Sequence, residues 1–408
     1  PRLAGLVRER QDLAEQYAAR DRQYLTALGA PAQERNGALI AQLRQALASL
    51  AERGAALDRT LQRDFPDYAA LLAKLPAGTT CPTTLCDVKT DYFLVTISIL
   101  NERLQHHTEA LMALMLGGRR AEAEAGFAWL AGLQHADGSW HQYYLAGGEV
   151  EEPKLDANCV AYVAAGLYHH WLLFEDRSYL ESNWEMLCGA VDFVRGLQTD
   201  RGEVLWARRP DGSAFEFALL TGSSSIAHSL RCAVAIAEVL GHDRKDWVDS
   251  AEALGRVIRD EPEAFAPKHR WAMDWYYPVL TGVETGERGR HRLASRRAAF
   301  VMDERGVRCV SDRPWVTAAE TCECAMAHLA VGEPEVAAAM FRWAQRLRTE
   351  EGHYWTGIVY PQEDYFPSGE QSTYSSAAVV LAADALSEAS PASWLFTEHA
   401  RLPAGAPL

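Results

Sequence analysis

Apolar residues recur at helical spacing along most of this 408-residue chain. The pattern predicts helices over 92–116, 119–134, 156–174, 178–198, 223–240, 245–259, 290–301, 316–330, 334–348 and 371–387. Gly241 and Gly332 stand where helices stop, because glycine takes the left-handed turn after a C-terminus without strain, and Ser178 is placed to cap a start. Segments 160–167, 226–240, 318–330 and 377–386 are small and apolar nearly all round, as buried helices are; 178–198 and 334–348 carry a charged face. An inner set of helices inside an outer set follows.

The connections alternate in length. Short ones join 116 to 119, 174 to 178, 240 to 245 and 330 to 334; long ones run 134–156, 198–223, 259–275, 301–316 and 348–371. In stacked helical hairpins this places every long loop on one face, where functional groups collect. A repeat supports the same organisation. One copy reads Trp129, Leu130, Leu133, Gln134, Asp137, Gly138, Ser139, Trp140. A second reads Phe193, Val194, Leu197, Gln198, Gly202, Trp206, and a third Phe341, Trp343, Leu347, Arg348, Gly352, Trp355. The fold class expected is all-α: an α/α toroid of about six helical hairpins.

Residues 1–76 differ. They are rich in Ala, Leu, Arg, Gln and Glu, break once at Leu28-Gly29-Ala30-Pro31, and read as an N-terminal helical hairpin. A Thr- and Pro-bearing linker, 77–90, separates it from a toroid domain, 91–408. The net charge of -15 leaves no basic stripe for nucleic acid. No apolar run reaches the roughly 20 residues of a membrane span, and Pro1 to Arg10 lacks an apolar signal core, so a cytoplasmic location is expected. The eight cysteines are dispersed and expected reduced. Cys322 and Cys324, two apart, point to different helix faces, so no metal is expected there.

The repeats and hairpin order resemble the prenyltransferase and squalene-cyclase superfamily of α/α toroids, and more specifically bacterial prenyltransferase-like proteins. The six-hairpin glycosidases share the architecture. The tract Asp64-Phe65-Pro66-Asp67-Tyr68 resembles the helical segment preceding bacterial CHAT domains. The toroid resemblance covers about residues 104–396 and implies a fold rather than a chemistry. The Asp-x-Asp-Asp motif of class II cyclases is missing, and the separated Asp, Cys and His zinc set of protein prenyltransferases cannot be assigned.

The long loops carry aromatics and acids together. Candidate substrate-binding residues are Trp140, Tyr143, Trp206, Trp275, Tyr276, Arg313, Trp315, Trp355 and Tyr365, all expected around one funnel. Candidate catalytic carboxylates are Asp274, Glu320, Asp312 and Asp156. Asp274 lies between Met273 and Trp275-Tyr276-Tyr277, a setting that raises a carboxyl toward a general acid's range. Glu320 lies in an apolar inner helix, where it must face the lumen or pair with a group such as Arg313. Asp156 and Asp312 each have helix capping as the plainer role.

Paired carboxylates beside aromatic platforms suit a glycoside hydrolase, with no cofactor. The alternatives are a prenyltransferase or terpenoid-cyclase chemistry on an isoprenoid or lipid-linked substrate, and a non-catalytic toroid binding a glycan or protein. The N-terminal hairpin is the expected surface for a protein partner.

Overall fold

The structure is a computed structural model that describes residues 102–403 except 145–149, 351 and 368, with scattered helical positions between 13 and 53. The linker 77–90, most of the N-terminal hairpin and the expected helical start at 92–101 lie outside the described residues.

After a short strand β1 (Glu102–Arg103) the chain alternates inner and outer helices. The inner ones are α1 (Leu104–Leu116), α3 with α4 (Ala157–Ala161, Val163–Phe174), α7 (Leu220–Leu240), α9 (Met273–Leu280), α11 (Ala318–Ala330) and α13 (Thr373–Ser387). The outer ones are α2 (Arg120–Leu133), α5 with α6 (Arg177–Ser182, Trp184–Arg195), α8 (Lys245–Asp260), α10 (Gly286–Phe300) and α12 (Pro334–Ala344). Each inner helix packs on the next, α1 on α4, α4 on α7, α7 on α9, α9 on α11, α11 on α13, and α13 back on α1. The ring closes, as an α/α toroid requires.

Composition explains which helix goes inside. Sixteen residues of α7 and eleven of α11 are buried, because their small side chains let neighbours approach on both sides. By contrast α8 buries one stripe, including Trp247, Leu254 and Ile258, and turns its charges outward.

One inner helix was not expected. Residues 273–280 run from the end of the third long loop into the stretch before the next expected helix, yet they form α9, with Pro278 in its interior. Its eight aromatic-rich residues are too short to show a helical period, and proline argues against a helix. The helix expected over 290–301 starts earlier, at Gly286.

The repeat is a turn. In all three copies the residue after the Gln or Arg closes a loop over the glycine: His135 N–H donates to the Ser139 carbonyl, Thr199 to Glu203, and Thr349 to His353. Gln134 Nε2 also reaches the Met186 carbonyl at 2.9 Å, and Gln198 Nε2 the Ser250 carbonyl at 3.0 Å, so each glutamine staples its outer helix to the next. Gly138 has φ +86°, and a Cβ there would sit 2.0 Å from the Gly189 carbonyl oxygen. The tryptophans, however, are not equivalent. Backbone bonding aligns Trp140 with Val204 and Tyr354, and Trp355 with Leu205.

The long loops also form small strands that an all-helical pattern hides. β2 (Tyr143–Tyr144) lies between β1 and β3 (Val150–Glu152), and β4 (Leu155–Asp156) pairs with β5 (Ala207–Arg208). A five-stranded antiparallel sheet runs β10 (Asp364–Tyr365), β9 (Gly357–Val359), β8 (Trp315–Thr317), β7 (Gly306–Arg308), β6 (Val301–Met302). Two- and three-residue strands are below what alternation can reveal. They tie neighbouring loops into a rim around the inner-helix N-termini, since β4 runs into α3 and β8 into α11.

At the far end the chain after α13 closes the ring. Arg231 donates to the carbonyls of His399, Leu402 and Pro403, and Phe396 stacks on His228 at 5.0 Å.

Candidate functional site

The first turns of the inner helices surround a mouth on the loop-rich side. Helix N-termini present unsatisfied N–H groups and a positive dipole end, which suits carboxylates gathered there. The mouth holds Asp156 before α3, Thr221 in α7, Asp274 in α9, Thr317 and Glu320 at the start of α11, and Glu370 before α13.

Asp274 is buried, and burial pushes its carboxyl above the ordinary range; bonds from Thr221 and the charge of Arg292 oppose this. Thr221 donates to Oδ1 through its hydroxyl at 2.6 Å and its N–H at 3.3 Å. Oδ2 takes no protein bond among the described residues, which leaves it for a ligand.

Glu320 is 7% exposed. The Thr317 hydroxyl donates to Oε2, and the Cys309 thiol, pushed up by burial, lies near enough for the carboxyl's charge to push it further. Among the described residues it joins no ion pair, so of the two placements expected for it, facing the lumen or pairing with a group such as Arg313, the second is not what holds it. Ala272 N–H donates to the Cys309 carbonyl at 3.0 Å, so the segment entering α9 and Asp274 is tied to the loop beside Glu320.

Asp156 caps α3, with Oδ1 accepting the N–H groups of Asn158 and Cys159. Its Oδ2 accepts the Trp206 indole N–H at 2.7 Å and Gln142 Nε2 at 3.4 Å. Asp156 thereby fixes Trp206, which carries the Lys154 ammonium 4.2 Å from its ring and stacks with Phe217 at 5.4 Å. Asp312 stands outside this group: it is exposed, bonded to Arg270 at 2.9 Å, and that bond holds its carboxyl below the ordinary range. Glu370, in the last loop, is half-buried and accepts the Thr356 hydroxyl at 2.8 Å.

The aromatic candidates divide. Trp206, Trp315, Trp355 and Tyr365 belong to the rim; Trp355 stacks on Tyr365 at 4.6 Å, and Trp315 donates to the Phe366 carbonyl at 3.1 Å. Tyr143, in β2, and Arg313, beside β8, are half-buried. Trp140 does not reach the funnel: it is fully buried, with its indole donating to the Leu130 carbonyl at 2.8 Å. Trp275 packs outward between α9 and α10, stacked on Phe300 at 5.4 Å.

Tyr276 is fully buried rather than at the rim, and its hydroxyl meets a group that sequence reasoning missed. Glu323, one turn below Glu320, accepts the hydroxyls of Tyr276, of Tyr277 at 2.9 Å and of Tyr374 at 2.7 Å. Burial pushes its carboxyl up to about 7; Tyr276 pulls the other way and the charge of Glu320 adds to the rise. A cavity of about 20 Å³, room for one water, lies beside it with Glu109, Tyr162, Ser225 and His228 on its walls. Two glutamates three apart in an apolar helix were the available signal; the three tyrosines come from two other helices. Among the described residues no group of three or more His, Cys, Asp or Glu side chains could hold a metal, and no helix is long and apolar enough to cross a membrane.

No family model matches the chain. Over 290 residues, 71% of this chain and 80% of the relative, it is 45% identical to the MMP endo-(1,4)-3-O-methyl-α-D-mannosidase of Mycolicibacterium hassiacum. An uncharacterized glycosyl hydrolase of Methanocaldococcus jannaschii is 26% identical over 162 residues, 38% of this chain and 26% of that protein. Among solved structures, a glycosidase in complex with glucose matches with a TM-score of 0.55 at 13% identity, covering 79% of this chain and 95% of its own. A D-mannose isomerase matches with a TM-score of 0.55 at 11% identity, covering 71% and 88%. At such identities the structural matches speak for the fold alone.

Proposed function

The chain belongs to the family of the MMP endo-(1,4)-3-O-methyl-α-D-mannosidase and is a carbohydrate-active enzyme of glycoside-hydrolase type; from that premise we propose that it cleaves internal (1→4) links between 3-O-methyl-α-D-mannosyl units at the toroid mouth. The observation that carries the site is Asp274: buried, raised above the usual carboxylate range, and held by Thr221 through one oxygen while the other is left for a glycosidic oxygen. A general acid is favoured by a carboxyl raised above the ordinary range with one oxygen free of protein bonds.

Asp274 gives its proton to the leaving oxygen, and Glu320 on the adjacent inner helix serves as base or nucleophile. A carboxyl separation of about 5–5.5 Å corresponds to retention and about 6.5–9.5 Å to inversion. Trp206 with Phe217, and Trp355 with Tyr365, offer flat apolar faces for the rings of a methylated sugar, which has fewer hydroxyls to satisfy. Glu370 is the second reading for the base, favoured by its half-buried, water-accessible place at the mouth. An isoprenoid cyclase would want a dry aromatic chamber; the lumen below this mouth carries Glu109 and Glu323 instead.

The test is turnover of a (1→4)-linked 3-O-methyl-mannose oligosaccharide by the full chain and by four isosteric variants. Asp274→Asn and Glu320→Gln should each lower kcat by roughly 10³-fold, with melting temperature nearly unchanged. Full turnover by Asp274→Asn sinks the acid assignment. Loss in Glu370→Gln with activity kept in Glu320→Gln would move the base to Glu370, and loss confined to Asp156→Asn would move the acid.

A further inference from the structure

Helix α9 has a defect where it carries Asp274. Proline has no N–H, so Pro278 cannot supply the helical hydrogen bond to the carbonyl four residues back, that of Asp274 itself. An orphaned carbonyl in a buried first turn leaves the main chain there without its usual restraint.

The missing donor comes from the adjacent outer helix. Arg292 of α10 sends Nη2 to the Asp274 carbonyl at 2.9 Å and Nε to the Trp275 carbonyl at 2.8 Å. The Trp275 indole returns a bond to the Arg292 carbonyl at 2.9 Å, so the two helices are locked in both directions. The remaining limb, Nη1, pairs with Glu284 at 2.8 Å, and the Glu284 N–H fills the Pro278 carbonyl at 2.8 Å. One planar guanidinium thus serves three acceptors on a fixed fork, which a lysine ammonium on its flexible stem cannot reproduce.

We propose that Arg292 is a positioning residue for Asp274: it stands in for the N–H that Pro278 lacks, and so fixes the main chain from which the Asp274 carboxyl is aimed into the mouth. The inference rests on the reading of Asp274 as the acid. Arg292 touches no substrate in this scheme. Its effect on the reaction is geometric, and a misplaced acid lowers the chemical step more than it lowers binding.

The experiment is a double-mutant cycle in the full chain, read as kcat and KM on the same oligosaccharide. Arg292→Lys keeps the charge beside Glu284 but loses the fork; kcat should fall at least tenfold while KM stays within twofold. Pro278→Ala restores a backbone N–H to the Asp274 carbonyl, so Pro278→Ala with Arg292→Lys should recover most of the lost kcat. Leu254→Ala, in the core face of α8, controls for destabilisation: it should lower the melting temperature and leave kcat unchanged. Wild-type kcat in Arg292→Lys overturns the proposal, and so does a loss that Pro278→Ala does not relieve. Should Arg292→Lys fail to fold alone, Pro278→Ala is compared with the double variant; a difference below twofold supports the proposal and a tenfold one overturns it. Full activity in Asp274→Asn is a separate result, which removes the acid reading itself.

Discussion

Glu323 makes the stability of this toroid depend on pH in a calculable direction. The carboxyl sits among the inner helices with no cation paired to it among the described residues. Its surroundings are Tyr276 and Tyr277 from α9, Tyr374 from α13, Glu320 on its own helix, and Glu109, Tyr162 and His228 around the adjoining cavity. Burial raises it from 4.5 to about 7. Between those values the folded chain holds a proton that the unfolded chain has released. Stability therefore falls as pH rises from about 4.5 through 7, and is flat above. A displacement of about 2.5 on the pH scale, at about 1.4 kcal/mol per pH unit, gives about 3 kcal/mol. Glu323→Gln removes the titration and keeps the shape, at the loss of some acceptor capacity toward the tyrosines. The assay is denaturant unfolding of both proteins at pH 5 and pH 8. The stability difference, variant minus wild type, should move in the variant's favour by about 3 kcal/mol from pH 5 to pH 8. A difference that stays constant across that range would refute the reasoning, because titrating groups away from Glu323 cancel in the comparison, and its neighbour Glu320 is the one carboxylate whose charge acts on it.

Two further outcomes follow from burial. His169 is pushed down to about 3 by burial, and neither ring nitrogen has a hydrogen-bond partner among the described residues. Its contribution is present above 6.5 and lost as pH falls, so His169→Leu should lose about 2 kcal/mol less than wild type between pH 7 and pH 5; parallel losses in the two proteins would count against it. Gly138→Ala meets the Gly189 carbonyl and a left-handed backbone together, whereas Gly212→Ala, at φ +85° with nothing within 4 Å, meets only the backbone term. The first should cost several-fold more than the roughly 1–2 kcal/mol of the second, and equal melting temperatures would show that the Gly138 turn relaxes freely.

What the sequence determined by itself is the toroid and the place of its mouth. Helical period, loop alternation and the contrast between segments such as 226–240 and 178–198 are local properties, and burial on every side leaves a compositional mark that no neighbour is needed to read. The helical repeat and its glycine were equally legible, because a turn's chemistry is contained in five residues. Tertiary structure decided what each aromatic and acid does. Trp140 and Trp206 look alike along the chain, yet one fills the core and the other donates to Asp156. The first lies two residues after its turn glycine, in the place Val204 takes in the second copy, and the other lies two residues further on, just before the strand paired with β4. Asp274 adjoins Trp275 and Asp312 lies three residues before Trp315, and only packing separates an exposed ion pair with Arg270 from a buried carboxyl. Helix α9 was hidden by Pro278, whose missing N–H is supplied by Arg292 from another helix. Glu323 drew its meaning from tyrosines on α9 and α13, and convergence across a closed ring is a property of three dimensions that spacing along one chain does not encode.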